Sequence, residues 1–152
     1  MSNYSEKPSE FLAKYTRYAL DRFLGEFKNV GLYVCPGEAL RQEYQPEWIR
    51  DVILGAARDC GHNPRVVVRG WAMDRERFKN EVSPTYDNLF TEYKHNIEMI
   101  VSPTPSEQHN KWFGIGKKHI VNLHEISDIK PFRWGSPLFI HEMVNNWKTL
   151  GM

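Results

Sequence analysis

The chain has 152 residues, of which 41% are hydrophobic and 13% aromatic, and this is enough to bury the core of one ordinary domain. Its 20 basic and 19 acidic side chains are spread along the chain and give a formal net charge of +1, so charge alone recruits neither nucleic acid nor an anionic membrane. No apolar run approaches the roughly 20 residues of a membrane span, and the first residues lack the apolar region of a signal peptide. We therefore expect one soluble domain with no nucleic-acid or membrane partner.

The first third of the chain is predicted to contain a helix, a strand and a second helix. Apolar side chains from Pro8 to Glu26 recur every three or four residues, as on one face of a helix. The apolar run from Val30 to Cys35 predicts a strand, which Pro36 ends. Pro46 then opens a second helix in its first turn, and Gly61 ends it.

The middle of the chain is predicted to hold two further strands with a helix between them. Arg65 to Trp71 contains three consecutive valines, and such a continuous apolar run suits a strand that is covered on both faces of a parallel sheet. Ser83 and Pro84 predict the start of a helix, because the apolar residues from Tyr86 to Tyr93 have the spacing of a helical face. Ile97 to Val101 is then the third predicted strand.

The last third predicts a short helix from Glu107 to Phe113, a fourth strand from Lys118 to His124, and a final helix opened by Ser136 and Pro137. Strands that alternate with helices in this way are typical of α/β folds with a parallel sheet. A complete eight-stranded barrel takes about 250 residues, so four strands make about half of one. We expect a half TIM-type (β/α)8 barrel, with residues 1–152 as a single domain that is a fragment of a larger catalytic domain.

Two glutamates follow predicted strands, Glu38 after the first and Glu125 after the fourth. Loops that follow parallel strands open on the same side of the sheet, so residues far apart in sequence can meet in one cleft. Cleavage of a glycosidic bond needs one carboxylic acid to protonate the leaving oxygen, and a second carboxylate to attack the anomeric carbon or to activate water. The pair therefore predicts a glycosidase that uses Glu38 and Glu125 as its catalytic carboxylates.

The segments from Val34 to Glu38 and from Asn122 to Glu125, three strands apart, give the chain a family resemblance. It resembles the large clan of retaining (β/α)8 glycoside hydrolases, including α-glucuronidase-like barrels, in which the acid/base follows the fourth strand and the nucleophile follows the seventh. The resemblance implies that Glu38 is the acid/base, that Glu125 is the nucleophile, and that the chain runs from the third to the seventh helix of such a barrel. Gly37 precedes Glu38, where the clan usually has asparagine.

Other side chains at the same predicted rim suit a sugar. Arg69 and Trp71 end the second predicted strand in the same alternation class, and an indole beside a guanidinium suits a sugar ring that bears a carboxylate. Alternation along the fourth predicted strand sends Asn122 and His124 into the barrel if their apolar neighbours face the helices. In that case Glu125 supports the outer wall, unless the strand has already ended at His124. These residues predict binding of a uronic-acid-containing glycan.

Two rims of the predicted barrel carry further candidates. Trp134, after the fourth strand, and His109, in the loop after the third, lie on the predicted cleft side and are expected to contact the sugar at the rim. Lys94, His95 and Asn96 precede the predicted third strand, so they are expected at the opposite rim with a structural role.

We expect no metal and no cofactor. His119 and His124 are an odd number of positions apart on one predicted strand, so they point to opposite faces and do not form a simple ligand pair. Gly114 to Lys118 precedes a strand, so it lacks the helix N-terminus that binds phosphate in a phosphate loop. Cys35 and Cys60 are predicted to be free thiols.

Two other classes of function stay open at this point. A non-catalytic carbohydrate-binding or protein-interaction domain, with a complete doubly wound sheet, would still bind its ligand after loss of both glutamates. A sugar-acid isomerase or lyase would use His124 as its base and Arg69 to hold the carboxylate. Half a barrel also leaves two open sheet edges and an uncovered inner face, which favours self-association.

Overall fold

The computed structural model describes residues 7–38, 40–95, 102–123 and 136–148. Its strands are β1 (Leu32–Val34), β2 (Val66–Arg69), β3 (Leu89–His95) and β4 (Lys118–Leu123). They form a four-stranded sheet in the order β1-β2-β3-β4, and every neighbouring pair is parallel. The predicted α/β class, with parallel strands alternating with helices, is confirmed.

Helices precede and follow each strand. α1 (Glu10–Glu26) comes before β1, and residues 45–59 after β1 are helical throughout, as α2 (Gln45–Glu47), a π-helical stretch (Trp48–Ile53) and α3 (Leu54–Asp59). After β2, α4 (Arg75–Arg77) continues into a π-helical stretch (Phe78–Val82) and a 3-10 turn (Ser83–Thr85). α5 (Glu107–Trp112) follows β3, and α6 (Pro137–Lys148) follows β4. None of the helices within the described ranges is long and apolar enough to cross a bilayer.

Sequence signals mark several helix ends correctly. Pro46 lies in the first turn of the 45–59 helix, and Gly61 follows its end with a φ of 80°, a left-handed conformation that favours glycine. The hydroxyl of Ser136 accepts the backbone N–H of Phe139 at 3.3 Å, so it caps α6.

The prediction for residues 83–101 is wrong where the structure describes it. β3 occupies Leu89–His95, part of the predicted helix, and the helical segment lies earlier, at residues 75–82. β3 pairs with a strand on each side, and Leu89 and Glu92, which point to opposite faces, are 0% and 2% exposed. A strand buried on both faces need not alternate in hydrophobicity, so its apolar residues matched a helical spacing by coincidence. The strand predicted at 97–101 lies outside the described residues.

This correction also moves Lys94 and His95. They lie in the carboxyl-terminal part of β3, and not before a strand at the opposite rim as the sequence predicted. His95 is fully buried, and its imidazole Nε2 is 3.1 Å from the carbonyl oxygen of Ser102.

The described helices that follow the strands pack on one face of the sheet, which we call the covered face. Val66 and Val68 of β2 are fully buried on it. Their partners from the helical segments are Ile49, Ile53, Leu54, Ala57, Phe78, Val82 and Trp112. α6 lies on the same face, because Met143 and Trp147 line one groove together with His119 and Val121 of β4.

The opposite face, which we call the open face, carries the alternate strand residues. By strand register they are Tyr33, Val67, Arg69, Phe90, Glu92, Lys94, Lys118, Ile120 and Asn122. A doubly wound sheet has helices on both faces and reverses its strand order at a switch point, whereas these strands lie side by side in chain order. One-sided helices on a sheet in chain order are the arrangement of a segment of a (β/α)8 barrel.

Candidate functional site

All four strands are parallel, so the chain leaves β1 and β4 at the same end of the sheet, the end formed by the carboxyl termini of the strands. The backbone of Glu38 lies in a 3-10 turn, Pro36–Glu38, directly after β1. Glu125 comes two positions after Leu123, the last residue of β4, and is outside the described residues. The sheet therefore supports the premise that the segments bearing the two glutamates start from the same end of the sheet.

The turn that bears Glu38 packs directly against the loop after β2. A Cβ atom at Gly37 would lie 2.3 Å from the carbonyl oxygen of Trp71 and 2.9 Å from its indole ring. Only glycine permits so close an approach of backbone to backbone. This contact explains why glycine stands before Glu38, and it holds the Trp71 loop against the backbone of that turn.

A buried amide holds the same two loops together. Gln45 is 1% exposed, and its Nε2 donates to the carbonyl oxygens of Leu40, at 2.7 Å, and of Ala72, at 3.2 Å. Ala72 has a φ of 56°, a left-handed conformation that costs free energy for a residue with a side chain. The loop that carries Trp71 is thus held in an unfavourable backbone conformation by a hydrogen bond from the neighbouring loop.

Arg69 and Trp71 lie together at the carboxyl end of β2. The guanidinium carbon of Arg69 is 5.4 Å from the centre of the Trp71 indole, within cation–π range. One guanidinium nitrogen of Arg69 donates to the sulfur of Cys35 at 3.5 Å. Trp71 remains 41% exposed, so an aromatic surface lies at the rim beside the Arg69 guanidinium.

Tyr33 and Glu92 add a second pair to the open face. The Tyr33 hydroxyl donates to Oε2 of Glu92 at 2.7 Å, and Glu92 is in register with Arg69. Burial, followed by the hydrogen bond to Glu92, raises the pKa of Tyr33 well above its usual value, while the charge of Arg69 acts in the opposite direction. Tyr33 is therefore a neutral hydrogen-bond donor. We call Tyr33, Arg69, Trp71 and Glu92 the Arg69 cluster.

Asn122 lies on the open face of β4, beside Lys94 in register. Its apolar neighbours Val121 and Leu123 face α6 on the covered side, which is the condition that the sequence argument required. His124 and Trp134, the other predicted substrate contacts of this region, lie outside the described residues.

His109 is not at the rim. It lies in α5, is fully buried on the covered face, and has its ring centre 4.8 Å from that of Trp147. Its Nδ1 is 3.1 Å from Nε2 of His119, and Nδ1 of His119 is 2.8 Å from the hydroxyl of Thr91. Burial lowers the pKa of His109 to about 3 and that of His119 to about 4, so both imidazoles are neutral. His109 lies on the face of the sheet that α6 covers, whereas the Arg69 cluster begins from the opposite face. The sheet therefore separates His109 from the Arg69 cluster.

Within residues 7–38, 40–95, 102–123 and 136–148, no group of three or more His, Cys, Asp or Glu side chains is arranged to hold a metal ion. Cys35 and Cys60 are free thiols, as predicted.

No family model matches the chain, and a search of curated proteins also finds no match. Among solved structures, the chain is similar to one described as a GH138 enzyme targeting pectin rhamnogalacturonan II. The TM-score is 0.81 at 29% sequence identity, and the match covers 96% of this chain and 18% of that chain. The chain thus has a glycoside hydrolase-like fold and spans less than a fifth of the length of that structure.

Proposed function

We propose that this chain is part of the catalytic barrel of a glycoside hydrolase that cleaves a complex, uronic-acid-containing glycan with Glu38 and Glu125. The observation that carries this proposal is the parallel sheet, with its strands in chain order and its described helices on one face. Because the strands are parallel, the segments that bear the two glutamates start from the same carboxyl-terminal end of the sheet. The similarity to an enzyme that targets pectin rhamnogalacturonan II supports both the reaction class and a complex glycan as substrate.

The proposed reaction assigns one role to each glutamate. In the retaining mechanism, Glu38 gives its proton to the leaving glycosidic oxygen while the carboxylate of Glu125 attacks the anomeric carbon and forms a glycosyl-enzyme ester. Glu38, now a carboxylate, takes a proton from water, and the resulting attack on the anomeric carbon releases the sugar and frees Glu125. A carboxyl separation of about 5 to 5.5 Å fits this mechanism, whereas about 6.5 to 9.5 Å would imply inversion.

The substrate contacts follow from the same edge and face. The guanidinium of Arg69 pairs with a sugar carboxylate in a charge-assisted hydrogen bond, and the exposed indole of Trp71 stacks on the sugar ring. Asn122 contacts the substrate from the open face of β4, and His124 and Trp134 contribute from the segment that follows it.

Replacement of each catalytic glutamate by glutamine tests the reaction. We expect Glu38→Gln and Glu125→Gln to lower the release of reducing sugar from rhamnogalacturonan II by about 100-fold or more, because each loses a required proton transfer or nucleophile. Glu47→Gln, at a side chain that is 59% exposed, is the control and should keep full activity. If neither replacement lowers the release of reducing sugar, the two glutamates are not the catalytic pair and the proposal is wrong.

Replacement of Arg69 tests the substrate class. Arg69→Leu should abolish binding of an acidic sugar and leave binding of the matching neutral sugar unchanged. Arg65→Leu is the matched control, because the Arg65 guanidinium also lies over an aromatic ring, 4.9 Å from the centre of Phe90, but precedes β2 at the opposite rim. Equal losses for neutral and acidic sugars would exclude a carboxylate-specific role for Arg69.

Self-association follows from the sheet edges. Within the described residues, β1 and β4 each pair on one side only, and the open face has no helix layer. Unpaired strand edges favour association with another chain. We propose that two copies associate through these edges and restore a closed cleft, so light scattering should report a dimer. A monodisperse monomer would contradict this.

A further inference from the structure

The Tyr33 side chain crosses the open face of the sheet. Tyr33 belongs to β1 and Glu92 to β3, and β2 lies between these strands. The 2.7 Å hydrogen bond from the Tyr33 hydroxyl to Glu92 Oε2 therefore draws the phenol ring across β2, on the face that carries Arg69 two residues beyond the register partner of Tyr33. The ring is 57% exposed although its hydroxyl is tied down, so a flat aromatic surface is held in one orientation beside the guanidinium.

Glu92 occupies this position at a cost. It is 2% exposed, and its Oε1 has no hydrogen-bond partner within the part of the chain that the structure describes. A buried carboxylate oxygen without a donor destabilises a fold, and an apolar side chain of similar size often serves better for stability alone. The arrangement makes sense if Glu92 has a task other than stability, and the one described hydrogen bond of its side chain comes from the Tyr33 hydroxyl.

We propose that Tyr33 is a sugar-binding residue, held in place by Glu92 as a positioning residue, and that Tyr33 and Trp71 flank Arg69 to bind a pyranose that carries a carboxylate. This inference rests on the proposed function and adds two residues to the substrate-binding residues that the sequence predicts. Arg69 receives the carboxylate, and the two exposed rings offer their faces to the C–H groups of the sugar. The fixed orientation of Tyr33 lowers the entropy lost when the sugar binds.

Calorimetric titration with glucuronate and galacturonate, and with glucose and galactose as the neutral counterparts, tests this arrangement. Tyr33→Leu removes the ring and should weaken uronate binding about tenfold. Tyr33→Phe removes the hydroxyl that makes the hydrogen bond and Glu92→Leu removes its acceptor, and each should weaken uronate binding about threefold. Because both remove the same hydrogen bond, the double variant should bind no more weakly than either single variant. Tyr86→Phe is the control, since it deletes a buried hydroxyl that bonds to Pro64 on the covered side, and it should leave uronate binding unchanged.

Thermal unfolding separates positioning from a structural role. If Glu92 positions Tyr33, Glu92→Leu loses affinity while its melting temperature stays equal or rises. A lower melting temperature with unchanged affinity would overturn the inference, and so would wild-type affinity in Tyr33→Leu. If that variant binds normally while Arg69→Leu loses the uronates, the inference fails and the proposed substrate class stands. If the unaltered chain binds none of the four sugars, the proposed substrate class itself fails.

Discussion

The two faces of the sheet both bury polar side chains, but to different ends. On the covered face, His109 Nδ1 and His119 Nε2 are 3.1 Å apart, and the two imidazoles are neutral and 0% and 6% exposed. On the open face, Glu92 is equally buried, yet its hydrogen bond fixes a tyrosine ring that is 57% exposed beside a guanidinium. We therefore propose a binding site on the open face, where the buried polar side chain fixes a group that a ligand can reach.

The largest expected difference in stability is between variants of two tryptophans, one in the covered core and one at the rim of the open face. Trp112 is 3% exposed in the covered core, in edge contact with Phe78, whereas Trp71 is 41% exposed at the rim of the open face. We expect Trp112→Ala to lower the free energy of unfolding by about 3–5 kcal/mol. Trp71→Ala should lower it by less than about 1 kcal/mol while uronate binding is lost. Denaturant titration measures the loss of stability in each variant. Equal losses in the two variants would remove the distinction between the faces.

Acid should destabilise the covered face. In the unfolded chain each histidine binds its proton near pH 6.5, whereas the folded pKa values are about 3 for His109 and about 4 for His119. Between these values the unfolded state binds more protons, so stability falls as the pH falls, by up to about 1.4 kcal/mol per pH unit for each histidine. Urea titrations between about pH 7 and pH 5 measure this slope before most carboxylates titrate.

A pair of matched variants assigns the slope. His109→Gln removes one of three buried imidazoles, those of His95, His109 and His119, and should make the slope smaller. His141→Gln, at an exposed histidine of α6, leaves all three in place and should keep the whole slope. If the two variants show the same pH dependence, the buried pair is not its source.

A smaller effect is expected from the close approach of the two rim loops. Gly37→Ala places a methyl group 2.3 Å from the Trp71 carbonyl oxygen, so we expect a loss of about 1–3 kcal/mol in stability together with weaker uronate binding. Gly25→Ala, where no atom lies within 4 Å of the new Cβ, should instead stabilise α1 by about 0.5–1 kcal/mol. Unchanged binding in Gly37→Ala would mean that the position of Trp71 does not matter for the sugar.

Local patterns predicted most of the fold, because they depend on neighbours in sequence. The valines of β2, Pro46 in the first turn of its helix and Gly61 after the helix end each act through near residues. β3 was predicted as a helix, because burial on both faces removed the alternation that identifies a strand. That error hid Glu92 from the sequence argument.

The candidate site also has one part that local patterns predict and another part that they do not. Arg69 and Trp71 are two positions apart on one strand end, so alternation predicted that they share a rim, and the structure brings them together. The Tyr33–Glu92 hydrogen bond joins β1 to β3 across β2. It depends on the register of these strands, which no pattern of neighbouring residues reveals. The burial of His109 depends on Trp147 of α6, which packs against it from 38 positions away in sequence.

The proposed function depends most on which face of the sheet binds the sugar. Chemical-shift mapping of the isotope-labelled chain during titration with galacturonate measures this directly. We expect shifts at the backbone amides of Tyr33 and Arg69 and at the indole N–H of Trp71, with much smaller shifts when galactose replaces galacturonate. Shifts centred on His109 and Trp147, or equal shifts with the two sugars, would contradict the account.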